Sequence, residues 1–185
     1  MSDNVVSLPA NRSVPSLHFE KGVRAAGRRG ALPRLADIDF AELHALVPWI
    51  AIIDPDNEAH TLRFSLAGAG LSAFLGRDLA GFDYLEIVDP AIKGEAYDSA
   101  FLMLSRPCGL WQITPVVTAD GDIFFFEYTG FPVFDHAKGS GQIIFLIHHP
   151  YTENAGAENA DAPRIASVRH ATEWHWLEMR EPSGA

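Results

Sequence analysis

A chain of 185 residues, 48% hydrophobic and 21% charged, with a formal net charge of −10, is long enough for one domain that buries roughly two-thirds of its unfolded surface without a metal or disulfide staple. A single cysteine, Cys108, excludes an internal disulfide framework and suits a reducing compartment. The opening Met1–Pro9 lacks a secretory pattern and no apolar run nears the ~20 residues of a bilayer span, so a cytoplasmic location without a membrane partner is expected. Up to Arg34 six basic residues face two acidic ones, a balance of +4, whereas the remainder holds eight basic and 22 acidic residues, or −14; so acidic a body repels phosphate backbones, and no nucleic-acid partner is expected unless the N-terminal arm alone provides it.

Residues 1–15 are polar and read as a flexible N-terminus. Ser16–Arg29 reads as an amphipathic helix with Leu17, Phe19 and Val23 on or near one side, within a helical cap over about 16–33. Gly22, Gly27 and Gly30 weaken it, so packing must hold it. Asp37 or Asp39 opens a second short helix carrying Phe40, Leu43, Leu46 and Val47, which Pro48 ends. Trp49–Asp54 and Thr61–Ala67 form a hairpin around the turn residues Pro55–Glu58.

From Gly68 to Pro107 the pattern changes to short helical pieces: Leu71–Leu75, a turn at Gly76–Asp78, Tyr84–Val88, and a longer helix from about Ala91 to Ser105 with Tyr97, Phe101 and Leu104 on one stripe. Strands Leu110–Thr118, Ile123–Phe134 and Gln142–His148 follow, joined by connections too short for parallel crossovers. The order predicts an α+β domain over 16–150, a five-stranded antiparallel sheet with short helices on one face. A linker spans 151–163, and 164–185 forms a C-terminal docking tail whose Trp174 and Trp176 need burial against the body or another chain.

The run Leu35–Asp54, with its Asp37-Ile-Asp39-x-x-Glu42-Leu43 helix ending in Pro48, then Leu62–Gly70 and the turn Gly76-Arg-Asp-Leu-Ala-Gly81, resembles the stand-alone PAS-type proteins of the group PAS_5, common in alphaproteobacteria. The resemblance extends over about residues 15 to 150. It implies a PAS-like fold enclosing a pocket and a bacterial signalling role, with a signalling protein such as a histidine kinase as the class of partner. It brings no ligand or catalytic set.

Individual motifs add little chemistry. Gly68-Ala-Gly70-Leu-Ser-Ala73 fits a dinucleotide fingerprint, but its helix is too short for the βαβ unit that motif needs, and close packing of turn against sheet accounts for the glycines. Cys108 follows a helix C-terminus, where a thiol is not activated, and the flavin-photosensing asparagine-cysteine-arginine run is absent. Adjacent His148 and His149 point to opposite faces of a strand, the spacing of His170 and His175 does not suit a helical pair, and Ala91–Ser105 has no histidine to ligate haem. The cofactor is therefore unknown, without a haem or flavin signature. Glu127 shares a strand face with Phe125 and Thr129 and reads as an exposed carboxylate; buried in a cavity, it would be a general acid.

Tyr97, Phe101, Trp111, Phe126 and Tyr128 supply aromatic groups that line a pocket between helices and sheet, or fill that space solidly. The expected function is a non-enzymatic sensory or regulatory module. It acts through protein contacts, as a homodimer using the N-terminal helix and the sheet's outer face, with a small apolar ligand as tuner. The alternative is a small α+β cavity enzyme of isomerase or hydrolase type using Glu127.

Overall fold

Strand β2 (Thr61–Ala67) alternates buried Leu62 and Phe64 with exposed residues and pairs antiparallel with β1 (Ile50–Asp56), as its period of two requires. These elements belong to a computed structural model that describes residues 12–27, 31–148 and 165–179. Residues 1–11 of the expected flexible N-terminus, Arg28, Arg29, His149 and the expected linker 151–163 lie outside them. The long strands β3 (Cys108–Thr118), β4 (Ile123–Asp135) and β5 (Ser140–His148) meander next to β1. The sheet runs β2-β1-β5-β4-β3, and every strand pair is antiparallel.

The strand count exceeds the expected five. β6 (Ile165–Val168) and β7 (Glu173–Glu178), both from the segment read as a docking tail, pair with different halves of β3. β6 lies beside Val116–Thr118 and β7 beside Cys108–Ile113, making seven strands among the described residues. The sequence Glu-Trp-His-Trp-Leu-Glu has strand propensity, and pairing with β3 satisfies backbone groups that a free tail would leave to water.

Two apolar layers sandwich the sheet. On the outer face, helix α1 (Val14–Ala25) lies across β4 and β5, sinking Phe19 and Val23 among Ile50, Ile52, Phe131, Val133, Ile144 and Leu146. Leu17, expected on the buried side, is 50% exposed, and the buried stripe runs Ser16, Phe19, Val23 instead. The helix ends at Ala25, short of the expected Arg29. The outer face offered as a contact surface is thus covered over β4 and β5 by the chain's own helix.

The second helix expected from Asp37 or Asp39 does not form. Asp39 Oδ1 does accept the amides of Ala41 and Glu42, at 3.0 and 3.3 Å. The chain then continues as turns into a 3₁₀ turn at Val47–Trp49. The buried residues are Ile38, Leu43 and Leu46, whose spacing matches no helical stripe, while Phe40 and Val47 stay exposed.

On the inner face sit α2 (Ala69–Leu75), a 3₁₀ turn at Tyr84–Glu86 and α3 (Lys93–Ser105). Gly76 ends α2 in the left-handed conformation (φ 62°), donating its N–H to Ala73 O at 3.1 Å. Asp78 closes the following turn by accepting Ala80 N, which drops Leu79 into the core. The Gly68-x-Gly70 pair serves packing: a Cβ on Gly68 would lie 2.3 Å from the carbonyl oxygens of both Val47 and Pro48. Gly68→Ala should therefore cost about 1–3 kcal/mol through overpacking against backbone, read as a lower denaturant midpoint with unchanged slope.

Candidate functional site

The inner face leaves two adjoining cavities, of about 50 Å³ and 100 Å³. Alternation along β3 turns Leu110, Gln112, Thr114 and Val116 inward, and along β4 it turns Phe126 and Tyr128 to meet them. Helix α3 faces the larger cavity with Met103 and with Ala96, Ser99 and Ala100, three small residues that leave room where longer ones would close it. The smaller cavity is roofed by Leu71, Phe74 and Leu75 of α2. Tyr84, Gln112, Tyr128 and Ile147 line both.

Among the described residues no charged side chain lines either cavity. The polar groups there are the Gln112 amide, the Thr114 and Ser99 hydroxyls, and two phenols. Thr114 is 5% exposed, and its Oγ1 has no hydrogen-bond partner among the described residues. Burial pushes the Tyr84 hydroxyl up to about 12. Burial also raises that of Tyr128, with Tyr84 adding to the effect, so both phenols remain hydrogen-bond donors at neutral pH.

Of the aromatic residues read from the sequence, Phe126 and Tyr128 line the cavities. Tyr97 and Phe101 do not, because α3 turns Ala100 and Met103 inward instead of the expected stripe. Tyr97 donates its hydroxyl to Asn57 Oδ1 at 3.0 Å and stacks on His60, at the turn between β1 and β2. Trp111 points to the opposite face of the sheet, as the neighbour of Gln112 in a strand must. Gln112, Thr114 and Tyr84 were not singled out from sequence; the alternation Leu110-x-Gln112-x-Thr114-x-Val116 carries the signal for the first two.

Glu127 also lies on the outer face, and it is buried, not the exposed strand carboxylate its sequence context suggests. Its Oε1 accepts the Trp111 indole N–H at 2.6 Å and the Ser13 amide at 3.0 Å. Ser13 caps α1, its Oγ accepting Ser16 N, and the Ser16 hydroxyl bonds Thr129 Oγ1 at 2.7 Å. Glu127 stands opposite His148 across the β4–β5 ladder. Burial lowers the His148 pKa, and the Glu127 charge opposes that shift. Above this contact Glu20 bridges Arg12 and Arg24. Burial pushes its carboxyl up, but the two guanidinium groups outweigh that and leave it below the usual range. The carboxylate proposed as a cavity acid is thus on the other side of the sheet and engaged in holding α1.

Cys108 begins β3, where burial raises the thiol, with Arg106 opposing. His170 and His175 stand apart, near Glu95 and Glu173 respectively. Among the described residues no cluster of three or more His, Cys, Asp or Glu could hold a metal ion, and no helix is long and apolar enough to cross a membrane.

A curled antiparallel sheet with an outer helix on one face and short helices over a cavity on the other is the α+β architecture of a PAS-like domain. The family model described as PAS domain, PAS_5, matches residues 16–106, from α1 to the end of α3, and the chain carries a PAS domain of this family. That places it with sensory and regulatory modules that are generally non-enzymatic. Among solved structures it is similar to the PAS domain of a protein from Colwellia psychrerythraea, at 12% identity and a TM-score of 0.42, over 61% of this chain and 98% of that one. It is also similar to an RNA-binding light-oxygen-voltage receptor, at 16% identity and a TM-score of 0.43, over 68% of this chain. The similarity spans 36% of the receptor's length. No curated protein matches the chain.

Two outcomes follow from these positions. Glu127→Ala strands the Trp111 and Ser13 donors and should cost about 2–4 kcal/mol, with faster amide exchange in α1. Because its folded-state pKa is raised, Tyr84 contributes stability that is complete below its ordinary value of 10 and is lost as pH rises from 10 towards about 12. Phenolate absorbance should therefore show late-titrating tyrosines, and Tyr84→Phe should remove part of the alkaline loss of stability.

Proposed function

We propose that this chain is a sensory or regulatory module working through contacts with other protein chains, and that its inner cavities take a small, neutral, mostly apolar molecule. The observation that carries the ligand assignment is the lining: apolar walls and, among the described residues, no charged group and no hydrogen-bond partner for the buried Thr114 hydroxyl. A charged ligand would lose its hydration there without an ion pair in return, at a cost of several kcal/mol. A neutral one with a single hydrogen-bonding group would keep its apolar body on Phe64, Leu71 and Met103 and satisfy Thr114, Gln112 or a phenol. Together the two spaces approach the size of an apolar cavity that admits benzene, about 150 Å³, which favours single-ring compounds. A signalling protein such as a histidine kinase suits the regulatory role as the class of partner.

The test pairs native mass spectrometry of the purified protein with thermal unfolding in the presence of phenol, indole or benzoate. At a hundredfold excess over Kd a ligand adds about 2.7 kcal/mol, a rise of roughly 5–10 °C for a chain of this size. The neutral compounds are expected to give such a rise and benzoate none. Thr114→Val should stabilise the empty protein by about 1 kcal/mol, by removing an unpaired hydroxyl, and weaken a ligand that bonds to it by up to about tenfold. Equal responses to benzoate and phenol, or no response to any compound with Thr114→Val neutral for stability, overturn the assignment.

A further inference from the structure

The sheet's β3 side ends in an exposed edge that the ligand reading leaves unused. β7 pairs with β3 along one edge, and no strand pairs with its other edge among the described residues. Trp174 and Trp176 are 51% and 37% exposed and stand 6.0 Å apart, edge to face. Their cross-strand partners are Gln112 and Leu110, so both indoles emerge on the cavity side of the sheet. His175 points to the outer side and stacks on Trp111. A free edge carrying two large aromatic side chains is a template for another strand.

We propose that the occupant is β7 of a second copy, paired antiparallel about a twofold axis at His175. The sequence of the strand selects this register. Residues that face each other across an antiparallel ladder present their backbone groups in the same sense, so a twofold pairing must be centred on a residue and not between two. Centred on His175, five residues of each strand pair within β7. Trp174 of each copy meets Trp176 of the other, twice, on one face, and Glu173 meets Leu177. Centred on Trp176, Trp174 would instead face the Glu178 carboxylate; centred on Trp174, only three residues of the strand would pair. In the His175 register no carboxylate opposes another, which suits an acidic chain of net charge −10 meeting itself. Pairs of aromatic residues across strands are the favourable case for such a ladder. The two sheets would join into one, with β3 and its cavity-lining Gln112 one strand from the junction.

The test uses the full chain in sedimentation velocity and in cysteine cross-linking with Cys108→Ser as background. The wild type is expected to be dimeric at tens of micromolar. Trp174→Lys with Trp176→Lys changes only exposed side chains and should keep the unfolding midpoint within a few degrees while weakening the dimer at least about tenfold. His175→Cys should give a covalent dimer on mild oxidation, since directly opposed Cα atoms fall within disulfide range. Glu178→Cys should not, its copies lying about 20 Å apart along the ladder. A monomeric wild type, a dimer that survives the double lysine substitution, or a cross-link at Glu178→Cys in place of His175→Cys overturns the proposal. Because none of these readouts involves a ligand, failure here leaves the cavity assignment standing, and failure there leaves this one.

Discussion

The Glu127 carboxylate is the point on which the outer layer turns. Burying an ionised carboxylate costs several kcal/mol unless hydrogen bonds and nearby positive ends of dipoles compensate. Here Oε1 accepts the Trp111 indole on the adjacent strand and the Ser13 amide at the start of α1, 114 residues away in the chain, while Oε2 has no hydrogen-bond partner among the described residues. The first turn of a helix favours an anion at its positive end, so the carboxylate and α1 hold each other in place. Trp111 in turn supports His175 of β7, and Arg24 of α1 donates to the Glu178 carbonyl at the end of that strand. One buried charge thereby ties the first helix, the central strands and the last strand into one layer.

That closure explains why the unfilled space lies on the other side. The outer face is packed by Phe19, Val23, Leu43 and Phe131, all without measurable exposure. The inner face is covered by short pieces, α2, the Tyr84–Glu86 turn and α3, whose inward residues include Ala96, Ser99 and Ala100. Small side chains on a helix held above large aromatic strand residues do not close-pack, and the gap collects the polar groups of β3. Alternation on β3 then links the two sides: Gln112 and Thr114 border the cavities while Trp111 and Ile113 point into the outer layer.

Much of the architecture was legible in the sequence because it rests on local signals. The β1–β2 hairpin, the Gly76 helix stop, the three long strands and their antiparallel sense follow from alternation, turn residues and loop length. The helix expected after Asp39 failed although its cap signal is real: the segment buries Ile38, Leu43 and Leu46 and leaves Phe40 and Val47 exposed, so the predicted stripe is not the face that packs. Burial of Glu127 was not legible, since the groups that cover it, Ser13 and the α1 backbone, come from the other end of the domain. For the same reason the stripe Tyr97, Phe101, Leu104 misled: periodicity shows that α3 has faces, and only the position of the sheet decides which face turns inward. The tail's two tryptophans announced a need for a surface, and β3 supplied its backbone but left the indoles half uncovered.

A cavity walled, among the described residues, without a single charged side chain also has a physiological corollary. Neutral, mostly apolar molecules that suit such a space also enter the hydrocarbon of a lipid bilayer, because both environments penalise an unpaired charge. Compounds of this class cross membranes by passive diffusion, so they would reach such a domain on either side of a bilayer with no importer involved. A module of this kind would monitor the surroundings by equilibration, and the sensitivity of its host would be set by binding affinity alone.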